Sequence, residues 1–438
     1  MTAREAAFYI LERCRKDGAW FSAAADKTIR SSLPDERDAA LASVISLGVL
    51  QNRDYFDFLI SRFCSTPPEK LESKVLTILR IGVCQLVFLD RIPSRAAVNE
   101  TVALCKTLGM ERAKGLVNAV LRKIADRRGD LPEVPGRGGA KYLSVRYSHP
   151  LWLAERMVNE KGYSFTEELF AANNRAPTLD IQINTLRISV GDYCRLLDER
   201  GIVYHIPAFP EGCVCLLGGA VEKLPGFEDG LFYVQDRAAR MSVDLAGLSP
   251  EMKVLDACSC PGGKSFAAAM NMRGRGEVIS CDIHEKKLPL IDQGAARLGI
   301  SIIHTECRDA RIYEESYCEA FDAVIADVPC SGFGVIGKKP EIRGKKPEEI
   351  AGLPAIQREI LENLSRYVRP GGIMLYSTCT ILREENEDLV EQFLRSHKNF
   401  LPAAFTVEGR DAVNGCYTFY PNIDGTDGFF VSKLIKER

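Results

Sequence analysis

Long apolar runs are missing from this chain. No stretch approaches about 18 consecutive apolar residues, so no segment predicts a membrane-spanning helix. No charged-then-apolar leader is present either, and the expected compartment is the cytoplasm. Histidine is scarce, with five in 438 residues, and none stands at zinc spacing from a cysteine pair. Because Cys-x-x-Cys is also absent, no metal centre is expected. Net charge is small: 57 Lys and Arg against 59 Asp and Glu give −2, so bulk charge points to no particular partner. The P-loop pattern G-x-x-x-x-G-K-[ST] does not occur, which removes the commonest nucleoside-triphosphate site.

What is present is ordinary globular material, 46% apolar and 26% charged, enough for two or three domains at roughly 100–200 residues each. Fifteen cysteines are scattered through it, as expected of reduced and mostly buried thiols. Charge is divided unevenly. Residues 1–128 hold 21 basic and 15 acidic side chains, and the remainder holds 36 and 44. A mildly basic front module on a more acidic body follows.

Residues 3–125 read as all-helical. Ala7, Ile10, Leu11 and Cys14 recur at helical spacing, as do Val75, Ile78, Leu79, Gly82 and Leu86, and Pro67, Pro68 and Pro93 separate helices. The last of these helices carries Arg112, Lys114, Arg122, Lys123, Arg127 and Arg128, a candidate RNA-phosphate surface or simply a solvated helix end. A Gly- and Pro-rich linker (129–139) follows. Ser148 is placed to cap a helix beginning at Leu151, and His149 reads as structural because no acid lies beside it. Residues 179–234 alternate as a small α/β unit. From 252 onwards strands and helices alternate through 252–258, 264–272, 277–283, 285–298, 301–307, 321–328, 347–367, 371–378 and 383–397 to a last strand at 428–435. This is the pattern of a doubly wound, mostly parallel sheet.

Residues 321–332, FDAVIADVPCSG, stand at the centre of that pattern. A β-branched apolar run stops at Asp327, Pro329, Cys330, Ser331 and Gly332, placing an acid and a thiol at the carboxyl edge of a sheet, where ligands bind in open α/β folds. Other strand ends are also marked. Asp256, Ala257, Cys258, Ser259, Cys260, Pro261, Gly262, Gly263 and Lys264 make a strand, a glycine turn and a helix start, a cradle for an anionic group such as a carboxylate. Asp282 ends the next strand, where an acid can accept ribose hydroxyls, and Asp309 ends the one after, where a carboxylate can accept an adenine amino proton. Cys379 follows Tyr376, Ser377 and Thr378, so two cysteines face one crevice. Gly332, Gly334 and Gly337 match G-x-G-x-x-G, yet Pro340 and Gly344 oppose the helix a dinucleotide site requires. Lys338, Lys339, Arg343, Lys345 and Lys346 instead suggest a flexible basic arm touching nucleic acid.

CSCPGGK (258–264), DVPCSGFG (327–334) and STC (377–379) resemble the RNA 5-methylcytosine methyltransferases that use S-adenosylmethionine, and LASVISLGVLQNRDYFDFLI with GLVNAVLRKI resembles the NusB helical RNA-binding domain. Together they resemble the Sun/Fmu (RsmB) type, which methylates cytosine 967 of 16S rRNA. The resemblance implies an all-α NusB-like domain (1–128), a small α/β RNA-recognition or linking domain (140–240) and a Rossmann-like S-adenosylmethionine-dependent methyltransferase (241–438). It makes Cys379 the nucleophile on cytosine carbon 6 and Cys330 the group that releases product; the chemistry adds Asp327 as an acceptor for the cytosine amino group, a wall shared by cofactor and base. It gives the cofactor Cys258, Ser259, Cys260, Pro261, Gly262, Gly263, Lys264, Asp282, Asp309 and Asp327. The partner implied is 16S rRNA, naked or early in assembly, with no membrane, no metal and no required oligomer. Cys260 stands where the family usually has alanine, and Phe333 and Gly344 also depart from its commoner residues. The same chemistry on tRNA, and an RNA-binding factor with an inactive methyltransferase body, are the alternatives.

Overall fold

A computed structural model describes residues 1–33 and 35–438 of the protein. The described residues form two compact units, one of Met1–Arg175 with Ile336–Lys345, the other of Ala176–Val335 with Lys346–Arg438.

The first unit is helical: α1 (Ala3–Asp17), α2 (Phe21–Ser32), α3 (Glu36–Gln51), α4 (Arg53–Phe63), α5 (Ser73–Phe88), α6 (Ser94–Thr107), α7 (Lys114–Asp126), α8 (Ala140–Tyr147), α9 (Leu151–Lys161) and α10 (Tyr163–Asn173). Its core is built from the apolar stripes read in the sequence. Val75, Ile78, Leu79 and Leu86 of α5 are buried, each fully buried one contributing roughly 2 kcal/mol. Gly82 lies in the same stripe, and a Cβ there would meet Leu121 of α7 at 2.5 Å, so the missing side chain sets how closely α5 and α7 approach. Ser148 departs from expectation. Pro150 occupies the N-cap of α9, while Ser148 ends α8 in the left-handed region (φ 53). Its Oγ accepts from the backbone N–H groups of Asp54 and Tyr55 at 3.0 and 3.1 Å, so it caps α4, whose own N-cap Asn52 makes no side-chain cap bond.

The second unit begins with β1 (Leu179–Ile183), α11 (Val190–Glu199), β2 (Tyr204–His205), β3 (Cys213–Leu216) and β4 (Phe232–Val234), an antiparallel sheet in the order β2-β3-β1-β4. After α12 (Arg237–Asp244) come β5 (Lys253–Asp256), α13 (Gly263–Asn271), β6 (Glu277–Asp282), α14 (Leu288–Leu298), β7 (Ile303–Cys307), β8 (Phe321–Asp327), α15 (Pro347–Ile350), α16 (Leu353–Leu364), β9 (Val368–Thr378), α17 (Glu387–Ser396), β10 (Phe400–Pro402), β11 (Thr406–Val407), β12 (Arg410–Asp411), β13 (Cys416–Phe419) and β14 (Phe429–Lys436). The main sheet runs β10-β14-β9-β8-β5-β6-β7, with β13 also on β14. Strands β5 to β9 pair in parallel, as the alternation predicts, whereas β14 closes antiparallel on β9. The chain leaves β5 toward β6 and then returns to β8 on its other side. The crevice therefore opens at the carboxyl ends of β5 and β8. Two predicted helices are interrupted. Residues 347–367 break at Gly352, ahead of Pro354, and 383–397 divides into a 3-10 turn (Arg383–Glu385) and α17. β10 to β13 went unpredicted because each is only two to four residues long; β10 and β13 exist through pairing with β14, and β11 and β12 pair with each other.

The basic segment after Gly334 is the largest departure from the sequence reading. Residues 336–345 belong to the helical unit and form a 3-10 turn over Pro340–Gly344. Arg343, expected on a flexible arm, is buried. Its Nη1 donates to the carbonyl oxygens of Gln51, Tyr147 and Ser148 at 2.8, 2.8 and 2.9 Å, and Nη2 donates to Asn174 Oδ1 at 2.6 Å. These carbonyls end α3 and α8, where backbone acceptors lack intrahelical donors and carry partial negative charge. Burial pulls the Arg343 pKa down to about 9 while the charge of Asp54 opposes the shift, so the side chain is a cation at neutral pH. Gln51 Nε2 also donates to Gly337 O at 2.9 Å, and the Phe21 N–H to Glu341 Oε1 at 2.9 Å. Arg343→Ala is expected to cost about 3 kcal/mol in urea unfolding, because it leaves buried acceptors unpaired. Arg343→Lys should recover less than half of that, since one ammonium cannot span the same fork of acceptors.

Candidate catalytic site

Three loops meet at the carboxyl edge of the main sheet. β8 ends at Asp327, whose register partner on β9 is Ser377, so the residues that follow leave the sheet side by side. Cys330 and Cys379 are both half-buried, and their Sγ atoms lie 2.9 Å apart. The Cys379 N–H donates to Cys330 Sγ at 3.2 Å. The hydrogen bond with Cys379 and burial push the Cys330 thiol well above its ordinary range, and the charges of Glu385 and Asp327 add to the effect. Cys330 is thus held as a neutral thiol. The G-x-G-x-x-G match is explained by packing: a Cβ at Gly334 would lie 1.8 Å from Gly428 O, and the two glycine backbones bond at 2.9 Å.

Asp327 is fixed on both oxygens. Lys264 Nζ donates to Oδ2 at 2.6 Å and Ser377 Oγ to Oδ1 at 2.9 Å. Lys264 is itself buried, with its ammonium 5.0 Å from the centre of the Phe429 ring. The lysine of the glycine cradle therefore points along the sheet edge to the acid beside the thiols.

Behind the cradle, Asp256 is fully buried. Ser280 Oγ donates to Ser265 Oγ, which donates to Asp256 Oδ2, each at 2.7 Å, while Oδ1 has no hydrogen-bond partner among the described residues. Burial raises the Asp256 carboxyl from 3.8 to about 7. Burial likewise pushes up the thiols of Cys258 and Cys260, the latter to about 12, so neither is a nucleophile near neutrality. Gly262 adopts φ +107 at the turn into α13, a conformation that favours glycine. The first turn of α13 presents backbone N–H groups to the crevice edge. Asp282, half-buried at the end of β6, accepts the N–H of Cys260 at 3.4 Å and of His284 at 2.9 Å, and its oxygens retain capacity for further donors. A helix start beside a half-exposed acid on the adjacent strand fits a molecule with a carboxylate at one end and a diol at the other. Asp309 fits less well, because both its oxygens face Arg311, which holds the carboxyl below its ordinary range.

The sequence reading missed the side chains that hold the two cysteine loops. Glu385 and Gln357 are buried beside Cys330, and Asn386 and Thr380 lie beneath Cys379. Residues 383–397 read only as a helix, and that reading did not single out Glu384 or Glu385. The Asp256 carboxyl binds its proton more tightly in the folded chain than unfolded, so this group's contribution to stability falls as pH rises from about 4 to about 7. Asp256→Asn should therefore gain stability relative to the parent across that window, by a few kcal/mol in urea unfolding series at stepped pH, with a constant difference below it.

Residues 245–435 match the family described as 16S rRNA methyltransferase RsmB/F, residues 1–126 match the NusB family, and residues 149–221 match an RsmF/B-like ferredoxin-like domain. The chain is 32% identical over 449 residues to "Probable ribosomal RNA small subunit methyltransferase B" of Bacillus subtilis, covering all of this chain and 99% of that one. It is 32% identical over 419 residues to ribosomal RNA small subunit methyltransferase B of Pseudomonas putida, covering 93% of this chain and 94% of the relative. Among solved structures, that of the protein PH0851 superimposes with a TM-score of 0.82 at 25% identity over 99% of both chains. With a NusB-like all-α front and a Rossmann-like body, the chain belongs to the RsmB/F family of rRNA methyltransferases and is an S-adenosylmethionine-dependent RNA (cytosine-5) methyltransferase.

Proposed function

We propose that this chain methylates carbon 5 of one cytosine in 16S rRNA, the equivalent of cytosine 967, through a covalent bond between Cys379 and carbon 6. The observation that carries this reading is the pair of thiols 2.9 Å apart at adjacent strand ends, beside an acid pinned by Lys264. Residues 1–128 serve as an RNA-binding module, 140–240 as a recognition or linking module and 241–438 as the methyltransferase, acting in the cytoplasm. The loop of Cys258, Ser259, Cys260, Pro261, Gly262, Gly263 and Lys264, together with Asp282, holds S-adenosylmethionine, with Asp327 at the boundary with the base and Asp309 just past the neighbouring β7. When bound, the cofactor supplies an electrophilic methyl group.

The resemblance gives the thiolate role to Cys379, and the raised Cys330 thiol, 2.9 Å from the Cys379 sulfur, suits it to hold and pass a proton there. Addition of the Cys379 thiolate to carbon 6 makes carbon 5 electron-rich. After carbon 5 is methylated, its proton passes to Cys330 Sγ as the Cys330 thiol proton passes to Cys379 Sγ. The C5–H electrons form the C5–C6 double bond, and the C6–S pair returns to Cys379. Both cysteines end as thiols, and the Cys379 proton is lost to solvent before the next addition. Asp327, steadied by Lys264 and Ser377, accepts from the cytosine amino group, a donor that uracil lacks. The base is single-stranded or turned out of its helix to reach this edge.

Cys379→Ala should abolish both methylation and the covalent RNA–protein species on denaturing gels, and Cys330→Ala should accumulate that species because release is lost. A persistent adduct in the Cys379 variant would reverse the assignment. Arg122 and Lys123 are exposed on α7. Replacing both by Gln should weaken rRNA binding and lower the slope of log affinity against log salt by about 1.5, while S-adenosylmethionine affinity stays the same.

A further inference from the structure

Both backbone groups flanking Cys330 are held by side chains that play no part in binding base or cofactor in the reading above. Gln357 Nε2 donates to Pro329 O at 2.9 Å, and the Ser331 N–H donates to Glu385 Oε2 at 2.9 Å. The same Gln357 Nε2 donates to the same Glu385 Oε2 at 2.8 Å, which closes a ring around the peptide segment bearing Cys330. Both side chains are buried, Gln357 at 0% and Glu385 at 1% exposure.

Glu385 also belongs to the other cysteine loop. It ends the 3-10 turn that follows Cys379, and its carbonyl accepts from Tyr376 OH at 2.6 Å. Ser331 Oγ and Thr380 Oγ1 lie 2.8 Å apart. Asn386 Nδ2 donates to Thr380 O at 3.0 Å and Thr378 Oγ1 to Asn386 Oδ1 at 2.6 Å. Every hydrogen bond on the Glu385 carboxylate falls on Oε2, and Oε1 has no partner among the described residues. A buried carboxylate satisfied on one oxygen is expensive to keep. Its placement is explained if the acid ties one cysteine loop to the other.

We propose that Glu385, with Gln357, is a positioning residue for the reaction: a clasp that holds Cys330 in register with the Cys379 sulfur so that proton exchange between them can complete product release. The proposal rests on the covalent mechanism above. It assigns Glu385 no contact with rRNA or cofactor. Its effect on turnover passes entirely through Cys330.

The experiment is a double-mutant cycle in the full-length protein with a 16S rRNA fragment, reading multiple-turnover methylation, adduct lifetime and S-adenosylmethionine affinity. Glu385→Ala should lengthen adduct lifetime and lower kcat about tenfold or more, with cofactor affinity within about twofold of the parent. Combining it with Cys330→Ala should add nothing to the loss from Cys330→Ala alone, because the clasp acts through the residue already removed. Glu385→Gln keeps a carbonyl oxygen where both donors converge, and should recover release to within about threefold of the parent. The Gln variant also decides the matter if the Ala variant does not fold. Losses that multiply in the double variant, or a Gln variant as slow as the Ala variant, would overturn the clasp. The covalent reading is tested separately in the same gels: no adduct in Cys330→Ala, or methylation by Cys379→Ala, refutes that reading whatever Glu385 does.

Discussion

Parallel pairing of β8 with β9, Asp327 opposite Ser377, is the constraint on which the site depends. Neighbouring strands lie about 4.8 Å apart, so loops that leave them at the same level must share one small volume. Their backbone N–H and C=O groups cannot all reach water, and each needs an internal partner. Gln357, Glu385, Asn386 and Thr380 supply those partners from segments that follow the strands in sequence. The geometry that brings two sulfurs together thus also creates a demand for buried polar side chains, and the chain meets it with an acid.

The electrostatics of the edge favour neutral thiols. Asp256, Asp282, Asp327 and Glu385 surround the cysteines, and the cation bonded among them is Lys264, committed to Asp327. Cys258 and Cys260 are silenced by burial and by these carboxylates, so cysteine abundance at this edge does not mean abundant nucleophiles. At this edge the Cys330 and Cys379 sulfurs stand 2.9 Å apart, and the proposed reaction has them trade a proton.

The same chain that carries Cys330 continues, a few residues later, into the helical unit, where Arg343 takes up the carbonyl ends of two helices. A guanidinium in the interior without a bonded carboxylate is sustained by several helix-terminal dipoles at once. Charge counting along the sequence reads this residue as surface. Its neighbour Lys339 instead lies over Trp20, 5.6 Å from the ring centre. Of the basic residues at 338–346, Arg343 is thus spent on holding the fold and Lys339 on a ring contact.

Much of the fold was legible because it is written in local periods. The α5 stripe, the buried run of β8, the alternation from β5 to β9 and the strand-end positions of Asp256, Asp282, Asp327, Cys330 and Cys379 all follow from spacing within short windows. Short strands such as β10 and β13 were not legible, since a three- or four-residue strand exists only through its partner. The same holds for the polar anchors. Ser148 caps a helix 94 residues away, Arg343 reaches a carbonyl 292 residues away, and Glu385 bonds an N–H 54 residues away. By itself the sequence determined which residues stand at strand ends, because strand ends are encoded locally; which strands lie side by side is a matter of non-local pairing. Only the tertiary structure decided which donor meets which acceptor there. Hydrogen-bond pairing between distant segments is settled by burial and proximity, and leaves no periodic mark in the chain.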